Sequence, residues 1–364
     1  MKKVLKGILK LLLVLVLIAV IGVGGLLGWL SYTEYQPEDV EQLAFFATTV
    51  EADALPADET IDLLSWNIGY GALGDNADFF MDGGDSVMTA SKARVEENMS
   101  NILTTVQDID ADIMLFQEVD QKSYRSHWVN ESSYLLDGLS TVDSTFAYNY
   151  RCLFIPYPFP PIGTVNAGIL TASVYEISEA TRYQLPSPYS WPESVGNLKR
   201  CLAVNRISLA DSDKELVIVN LHLEAYDDGE GKIAQTKMLR EILNAELEKG
   251  NYVIAGGDFN QVFPGSLEVY PNTHSDLWQV GILEESSLPE GFSFVYDLST
   301  PTCRLLNQPY DPADTENTQY YVIDGFVVSP NVTVREVQVL NLAFACSDHN
   351  PVRLQVCLGE AGAE

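Results

Sequence analysis

The chain has few basic residues for its length. It carries 21 Lys and Arg against 51 Asp and Glu, so its formal net charge is −30 at pH 7. Proteins that hold a nucleic-acid backbone by neutralising its phosphates need clustered basic side chains. The composition therefore disfavours that class of protein, although a bound divalent cation can supply positive charge locally.

Cysteine is also scarce, and the five cysteines cannot all pair with one another. None of their spacings is that of a zinc site. Cys201, Cys346 and Cys357 lie in apolar runs, which predicts buried thiols. For an exported protein, one disulfide involving Cys152 or Cys303 stays open as an alternative.

Basic residues are absent for a long stretch after an uncharged apolar run, Leu11–Leu30, and return only at Lys92. Four lysines precede the run, and about 20 apolar residues suffice to cross a bilayer. A cleaved signal peptide has a shorter apolar core of about 7–15 residues, so we predict an uncleaved signal-anchor and keep the cleaved signal as the alternative. The lysine bias predicts a single-pass protein of the cell membrane with a cytoplasmic N-terminus and an extracellular main domain.

Composition divides the chain into four predicted parts. They are the basic tip and membrane anchor (1–31), an acidic linker (32–60), one folded domain (61–358) and a short tail (359–364). Within the linker, Leu43 to Phe46 offer the alternative of packing on the domain. Apolar spacing predicts helices over Val87–Ile109, with Ser91 as N-cap, and over Lys232–Lys249, closed by Gly250.

The segment Asn251–Asn260 combines an apolar run with polar residues that follow it. Tyr252 to Ala255 predict a buried strand, and Gly256 and Gly257 end it. Asp258 and Asn260 stand at i and i+2, so an extended chain presents both on one side. A turn that merely uses Gly, Asp and Asn is the alternative.

Five more β-rich runs carry similar polar residues, which we predict at strand ends. These residues are Asn67, Gln117 with Glu118, Asn220 with His222, Asp324, and Asp348 with His349. Two of the four histidines of the chain fall in these motifs. Six such motifs would be unusual in a protein with no active site.

The ordered set Ser-Trp-Asn, Gln-Glu-Val, Asn-Leu-His-Leu, Gly-Asp-Phe-Asn, Ile-Asp and Ser-Asp-His-Asn-Pro-Val resembles the endonuclease/exonuclease/phosphatase superfamily, in a membrane-anchored, bacterial-type form. The resemblance covers roughly residues 61–358. It implies an α/β fold, a four-layer sandwich of two mixed β-sheets flanked by helices, here preceded by one transmembrane helix. The motifs would then gather at one end of the sandwich.

The resemblance also implies roles for the motif residues. Hard divalent cations prefer oxygen ligands, and Mg²⁺ or Mn²⁺ is expected on Glu118, Asn67 and Asp348. Five residues are expected to be catalytic. Asp258 would activate water, and Asn260 would orient the water or the phosphate. His349 would contact the phosphate or transfer a proton, and His222 would provide a second phosphate contact. Asp324 would orient His349 and favour its cation.

Further residues are candidates for substrate contacts. Arg200 and Arg125 would bind a phosphate, with a surface arginine as the alternative for Arg200, and Asn166 and Asn220 would reach the same site. For Asn67, a satisfied strand-end amide is the alternative. The loop Phe154–Pro161 is either a packed connection or an apolar wall for a lipid or a base. The segment 75–85 is a candidate rim loop.

Together these features predict an extracytoplasmic, metal-dependent phosphoesterase, and a phosphodiesterase in preference to a monoesterase. The acidic charge favours a small or lipid-linked diester over duplex DNA. The alternatives are a nuclease acting on DNA or RNA at the outer face, and a catalytically inactive surface-binding module on the same scaffold. The expected partners are the phosphoester and the membrane, with nucleic acid as the alternative substrate, and we expect a monomer.

Overall fold

The computed structural model describes residues 2–46, 54–56, 59–139, 143–210, 212–227, 229–274, 277–314 and 316–359. The helices are α1 Lys2–Tyr32, α2 Lys92–Ile109, α3 Glu131–Gly138, α4 Glu230–Glu248 and α5 Ser266–Val269. The strands are β1 Val40–Gln42, β2 Thr60–Asn67, β3 Ile113–Asp120, β4 Asp143–Ile155, β5 Gly163–Ser173, β6 Ile177–Gln184, β7 Cys201–Ser208, β8 Glu215–His222, β9 Tyr252–Asp258, β10 Gln261–Val262, β11 Gly281–Ile282, β12 Ser293–Val295, β13 Cys303–Arg304, β14 Tyr320–Tyr321, β15 Asp324–Val328, β16 Val332–Val339 and β17 Val352–Leu358.

Two mixed sheets carry most of these strands. One has six strands in the order β16-β17-β2-β3-β5-β4, and the other has seven in the order β1-β6-β7-β8-β9-β15-β12. Each sheet contains one parallel pair, β2 with β3 and β8 with β9, and its other pairs are antiparallel. Asn67 and Asp258, the last residues of β2 and β9, are hydrogen-bonded, so the carboxyl ends of both parallel pairs meet at one edge of the sandwich.

Apolar side chains fill the space between the sheets and the space under the helices. Leu63, Leu115, Ile218 and Ile254 belong to a fully buried cluster shared by strands of both sheets. A second cluster packs α2 and α3 on the six-stranded sheet, and a third packs α4 on the seven-stranded sheet. The predicted four-layer sandwich is confirmed.

Both predicted helices are present, with small differences at their ends. The side chain of Ser91 accepts a hydrogen bond from the Arg94 amide and so caps α2, which begins at Lys92 rather than at Val87. Gly250 has φ +83° just after α4, a left-handed conformation that suits glycine and ends the helix.

The segment predicted as an acidic linker contributes to the domain. Strand β1 pairs with β6 at the edge of the seven-stranded sheet, Leu43 packs on the core, and Leu55 is fully buried beside Leu209. Acidic composition indicated an exposed connection, but backbone pairing and two leucines hold the described parts of it in place. Of the predicted tail, only Gly359 lies among the described residues.

The cysteine predictions are partly wrong. All five cysteines are free, so neither Cys152 nor Cys303 forms a disulfide. Cys201 and Cys346 are buried as predicted, whereas Cys357 is half-exposed on β17. Its thiol accepts a hydrogen bond from Arg335 Nε at 3.3 Å.

Candidate active site

The polar residues gather in a cleft of about 170 Å³ at the edge where the parallel strands end. Asn67, Glu118, His222 and Asp258 stand at the carboxyl ends of β2, β3, β8 and β9. In the ladder, Asn67 pairs with Gln117 and His222 pairs with Asp258. The strand-end motifs predicted from these four runs therefore converge.

Asp324 and Asp348 reach the same edge from the opposite direction, which corrects the prediction that they end strands. Asp324 is the first residue of β15, and Asp348 with His349 precedes β17. Because β15 runs antiparallel to β9, its first residue pairs with Asp258, the last residue of β9. A strand that runs antiparallel to its neighbour begins at the edge of the sheet where the neighbour ends.

Asp258 lies at the centre of the cluster. Its Oδ2 accepts a hydrogen bond of 3.0 Å from Asn67 Nδ2 and lies 3.6 Å from His222 Nε2 and 3.9 Å from His349 Nε2. Its Oδ1 accepts from the backbone amide of Asn260 at 2.8 Å. Burial and, to a smaller extent, the charge of Asp324 raise the pKa of Asp258 to about 7.

The pKa values of the two histidines are shifted in opposite directions. His349 Nδ1 lies 2.8 Å from Asp324 Oδ2, and both side chains are buried. Burial opposes the imidazolium, but the Asp324 carboxylate outweighs it, so the pKa of His349 is well above its ordinary value. Burial, with the charge of Arg200, holds the pKa of His222 well below its ordinary value. The two shifts favour the imidazolium form at His349 and the neutral imidazole at His222.

Glu118 stands where β3 departs from regular pairing. The register shifts between Phe116 and Val119, and Glu118 has φ +53°, a left-handed conformation that non-glycine residues seldom adopt. A quarter of its side chain is exposed, and Oε1 lies 3.3 Å from Asn67 Nδ2 and 3.9 Å from His222 Nε2. The bulge therefore aims this carboxylate into the cleft.

The donor set fits a hard divalent cation. Glu118, Asp258 and Asp348 place three carboxylates in one cleft. Burial raises the pKa of Asp348 to about 7, and the charge of Glu118 adds to that effect. These buried carboxylates outnumber their cationic partners, and a bound Mg²⁺ or Mn²⁺ would stabilise their charged form. Asn67 turns its amide nitrogen, not its oxygen, towards Glu118 and Asp258, so in this orientation it holds the carboxylates as a hydrogen-bond donor.

Two of the substrate-binding candidates line the cleft, each held by an acidic partner. Arg125 makes a two-pronged contact with Asp120 and stacks 3.7 Å over the Tyr70 ring. Arg200 lies 3.3 Å from Glu224 and donates to the carbonyl of His222. Their positions fit a phosphate contact, and their partners offset part of the positive charge.

The other two candidates do not reach the cleft. Asn220 is fully buried between the sheets, where it accepts from Gln117 and donates to the carbonyl of Leu170. Asn166 lies on β5 next to Ala167, which does line the cleft. Because neighbouring strand residues point to opposite faces, Asn166 faces a second cavity instead.

Motif reasoning missed several residues of the cleft walls. Glu224 follows His222 at i+2, a spacing that was available in the sequence. Tyr226 donates to Asp82 at 3.1 Å, and its ring lies 6.2 Å from that of Trp278. Arg304, whose Nη2 donates to the carbonyls of Gly74 and Ala77, also lines the cleft. Only folding brings these distant segments together.

The two loops singled out in the sequence have different outcomes. In the segment 75–85, Phe79, Met81 and Asp82 line the cleft, as expected for a rim loop. In the loop Phe154–Pro161, Tyr157 and Phe159 are 76% and 92% exposed and are not part of the cleft lining. That loop is therefore not an apolar wall of the site.

The chain belongs to the endonuclease/exonuclease/phosphatase family, whose model matches residues 64–349. This confirms the resemblance drawn from the motifs. Members of the family are metal-dependent phosphoesterases and nucleases. No curated protein matches the chain at a significant level.

Solved structures share the fold at low sequence identity. An endonuclease/exonuclease/phosphatase from Beutenbergia cavernae DSM 12333 has a TM-score of 0.55 and 16% identity, covering 84% of this chain and 73% of that one. A Bacteroides vulgatus member has a TM-score of 0.53 and 17% identity over 82% and 99% of the two chains. The human Nocturnin catalytic domain with bound sulfate has a TM-score of 0.51 and 20% identity over 87% and 97%. At these identities the likeness establishes the fold alone.

Proposed function

We propose that this protein is a divalent-metal-dependent phosphodiesterase whose catalytic domain lies outside the cytoplasm, tethered by α1. One observation carries the proposal: the buried carboxylate of Asp258 lies between the imidazoles of His222 and His349. Hydrolysis of a phosphate ester needs a proton acceptor for water, positive charge at the phosphate and stabilisation of the leaving oxygen.

Each role has a candidate residue in the cleft. A pKa of about 7 makes Asp258 a suitable proton acceptor at neutral pH. Asp324 contacts Nδ1 of His349, which leaves the other ring nitrogen, Nε2, able to donate a hydrogen bond to a phosphate oxygen. Asn67 and the Asn260 amide fix Asp258 in place. Glu118 and Asp348 would hold the cation, which would neutralise charge on the phosphate.

The cleft walls support a small or lipid-linked diester rather than duplex DNA. Phe79, Met81, Tyr226 and Trp278 form apolar walls around a small cavity. Two of its arginines, Arg125 and Arg200, already have carboxylate partners. A duplex needs a broad basic surface, and the chain has a net charge of −30.

A substrate panel tests the activity. The full chain in detergent, with Mg²⁺ or Mn²⁺, is expected to hydrolyse bis(p-nitrophenyl) phosphate and phospholipid, and to lose that activity in EDTA. The full chain is used because β1 and Leu55 pack on the domain. Efficient plasmid nicking without turnover of the diesters would favour a nuclease. Full activity in EDTA would contradict metal dependence, and complete inactivity on every substrate would favour a binding module.

Protease treatment of intact bacterial cells that express the chain tests its topology. One helix of the described residues, Lys2–Tyr32, is long and apolar enough to cross a membrane. Four lysines precede the apolar run and no basic residue follows it until Lys92, which supports a cytoplasmic N-terminus. External protease is then expected to digest the catalytic domain without lysis, while a cytoplasmic marker protein survives. A domain that resists protease until lysis would contradict the proposed orientation.

A further inference from the structure

The last turns of α1 pack directly on the catalytic domain. Leu26 and Leu30 lie one helical turn apart, on one face. They join a cluster with Ile155, Val165 and Val195, in which Leu30 is buried. The residues of α1 before Leu26 are exposed, as expected for a segment that lipid surrounds. The contact therefore lies at the end of the helix where the domain begins.

Polar contacts fix the same junction. The Trp191 indole donates to Ser31 Oγ at 2.9 Å, and Lys199 Nζ lies 2.6 Å from Glu34 Oε1. Both side chains of the Lys199–Glu34 pair are largely buried, so the pair is shielded from solvent. The catalytic domain is thus docked at the helix end and does not hang from a flexible tether.

This docking places one hairpin of the domain at membrane depth. The apolar run ends at Leu30, and Leu26 lies about 6 Å further along the helix axis, towards the bilayer centre. Both ends of the β4–β5 hairpin tip, Ile155 and Ile162, pack in the cluster with these two leucines. If α1 spans the bilayer, the hairpin tip must lie at the polar–apolar interface of the leaflet that α1 leaves.

The surface around the tip has the composition of an interfacial segment. We define the apolar collar as Leu153, Tyr157, Phe159 and Trp191, which are between 52% and 92% exposed. Tyr and Trp are enriched at membrane–water interfaces, and Phe and Leu are typical of the apolar face of segments that lie in the interface. Four prolines of the tip, Pro156, Pro158, Pro160 and Pro161, have no backbone N–H, so the loop exposes fewer unsatisfied donors to lipid.

A second cavity lies at the same junction and carries positive charge. Its lining includes Glu34 and Tyr35, which follow α1, together with the basic side chains of Lys122 and Arg151. Arg151 lies over the rings of Tyr35 and Tyr148, and Asn166 Oδ1 is buried there without a partner. In so acidic a chain, two cations beside the helix end suit the phosphate of a lipid head group.

The cluster that packs on α1 and the catalytic cleft share residues. Tyr150 and Ile162 pack in the α1 cluster and also line the cleft. Asn197 and Leu198, which line the cleft, follow directly on Val195 of that cluster. A collar seated in the bilayer would therefore hold the cleft beside the membrane surface.

We propose that the apolar collar enters the leaflet that α1 leaves and seats the cleft on the bilayer, so that the substrate is the phosphodiester of a membrane lipid. The substrate part of this inference rests on the proposed phosphodiesterase function. The contact of the apolar collar with the bilayer rests on the packing of α1 against the catalytic domain, and it is measured separately.

Lipid quenching tests the contact without any activity measurement. The full chain with Phe159→Trp is reconstituted in phosphatidylcholine–phosphatidylglycerol vesicles that contain brominated lipid. The fluorescence that the new tryptophan adds to that of the unmodified protein is expected to be quenched more strongly in this variant than in Val334→Trp. Val334 is an exposed position on β16, at the edge of the six-stranded sheet opposite to β4. Equal quenching of the two variants would overturn the collar contact.

Turnover tests the substrate. Tyr157→Ser with Phe159→Ser is expected to lower hydrolysis of vesicle phospholipid about tenfold, because two interfacial aromatic side chains are lost. Hydrolysis of soluble bis(p-nitrophenyl) phosphate and all rates of Val334→Ser are expected to stay unchanged. Equal losses on both substrates, or diester turnover without lipid turnover, would overturn the lipid assignment. Absence of any turnover would refute the proposed activity and with it the substrate, while the quenching result would still decide the contact.

Discussion

Replacing Glu118 by glutamine is expected to lower kcat/KM on a phosphodiester about a thousandfold, roughly 4 kcal/mol of transition-state stabilisation. The bulge at this residue gives the cleft its most exposed carboxylate, whose only hydrogen-bond partner among the described residues is Asn67, at 3.3 Å. Glutamine keeps the shape but removes the charge that a divalent cation needs. The rate is measured over a range of Mg²⁺ and Mn²⁺ concentrations, with metal affinity from calorimetry.

The fold should survive this change, since the Glu118 side chain is partly exposed and is not part of the core. Circular dichroism and the melting temperature are therefore expected to match those of the unmodified protein. Glu176→Gln, an exposed glutamate away from the cleft, serves as the matched control and should retain full activity. Near-normal turnover and metal affinity in Glu118→Gln would show that Glu118 does not hold the cation.

Asp324→Asn and His349→Ala are each expected to lower turnover about 100- to 1,000-fold, and the double variant is expected to be no slower than His349→Ala alone. The 2.8 Å contact with Asp324 orients the His349 ring and favours its cation. Once the imidazole is gone, the carboxylate has nothing left to orient. The measurement is a double-mutant cycle on kcat/KM with one soluble diester.

The cycle has two controls. Glu176→Gln combined with His349→Ala should simply reproduce the single loss, because the two sites are independent. Melting temperatures of all variants separate a catalytic loss from unfolding, since Asp324 and His349 are both buried. Multiplied losses in the double variant would mean that Asp324 acts on the reaction by a route other than His349.

Several residues of the cleft were predictable because each lies in a short segment whose local pattern indicates a strand followed by a polar residue. A strand followed by a polar residue implies a side chain at a sheet edge, whatever the rest of the chain does. Asn67, Glu118, His222 and Asp258 were found in this way. The Ser91 cap and the glycine after α4 are equally local, and both are present in the structure.

Positions that depend on the pairing of strands were not predictable from those patterns. Asp324 begins a strand instead of ending one, and it still reaches the site because β15 runs antiparallel to β9. Composition marked residues 32–60 as a linker, yet β1 adds to a sheet edge. The tertiary structure alone places Tyr226, Trp278 and Arg304, from separate segments, on one cleft wall.

Asn220 and Asn166 show the physical reason for the difference. Residues two apart on a strand share a face but stand roughly 6.6 Å apart along it, and adjacent residues face opposite ways. Asn220 shares the face of His222 but lies that distance deeper, between the sheets, where Gln117 and Leu170 satisfy it. Asn166 lies opposite the face that Ala167 presents to the cleft. The sequence determined which polar side chains accompany the strands, and the depth and facing of each strand in the packed sandwich decided which of them line the cleft.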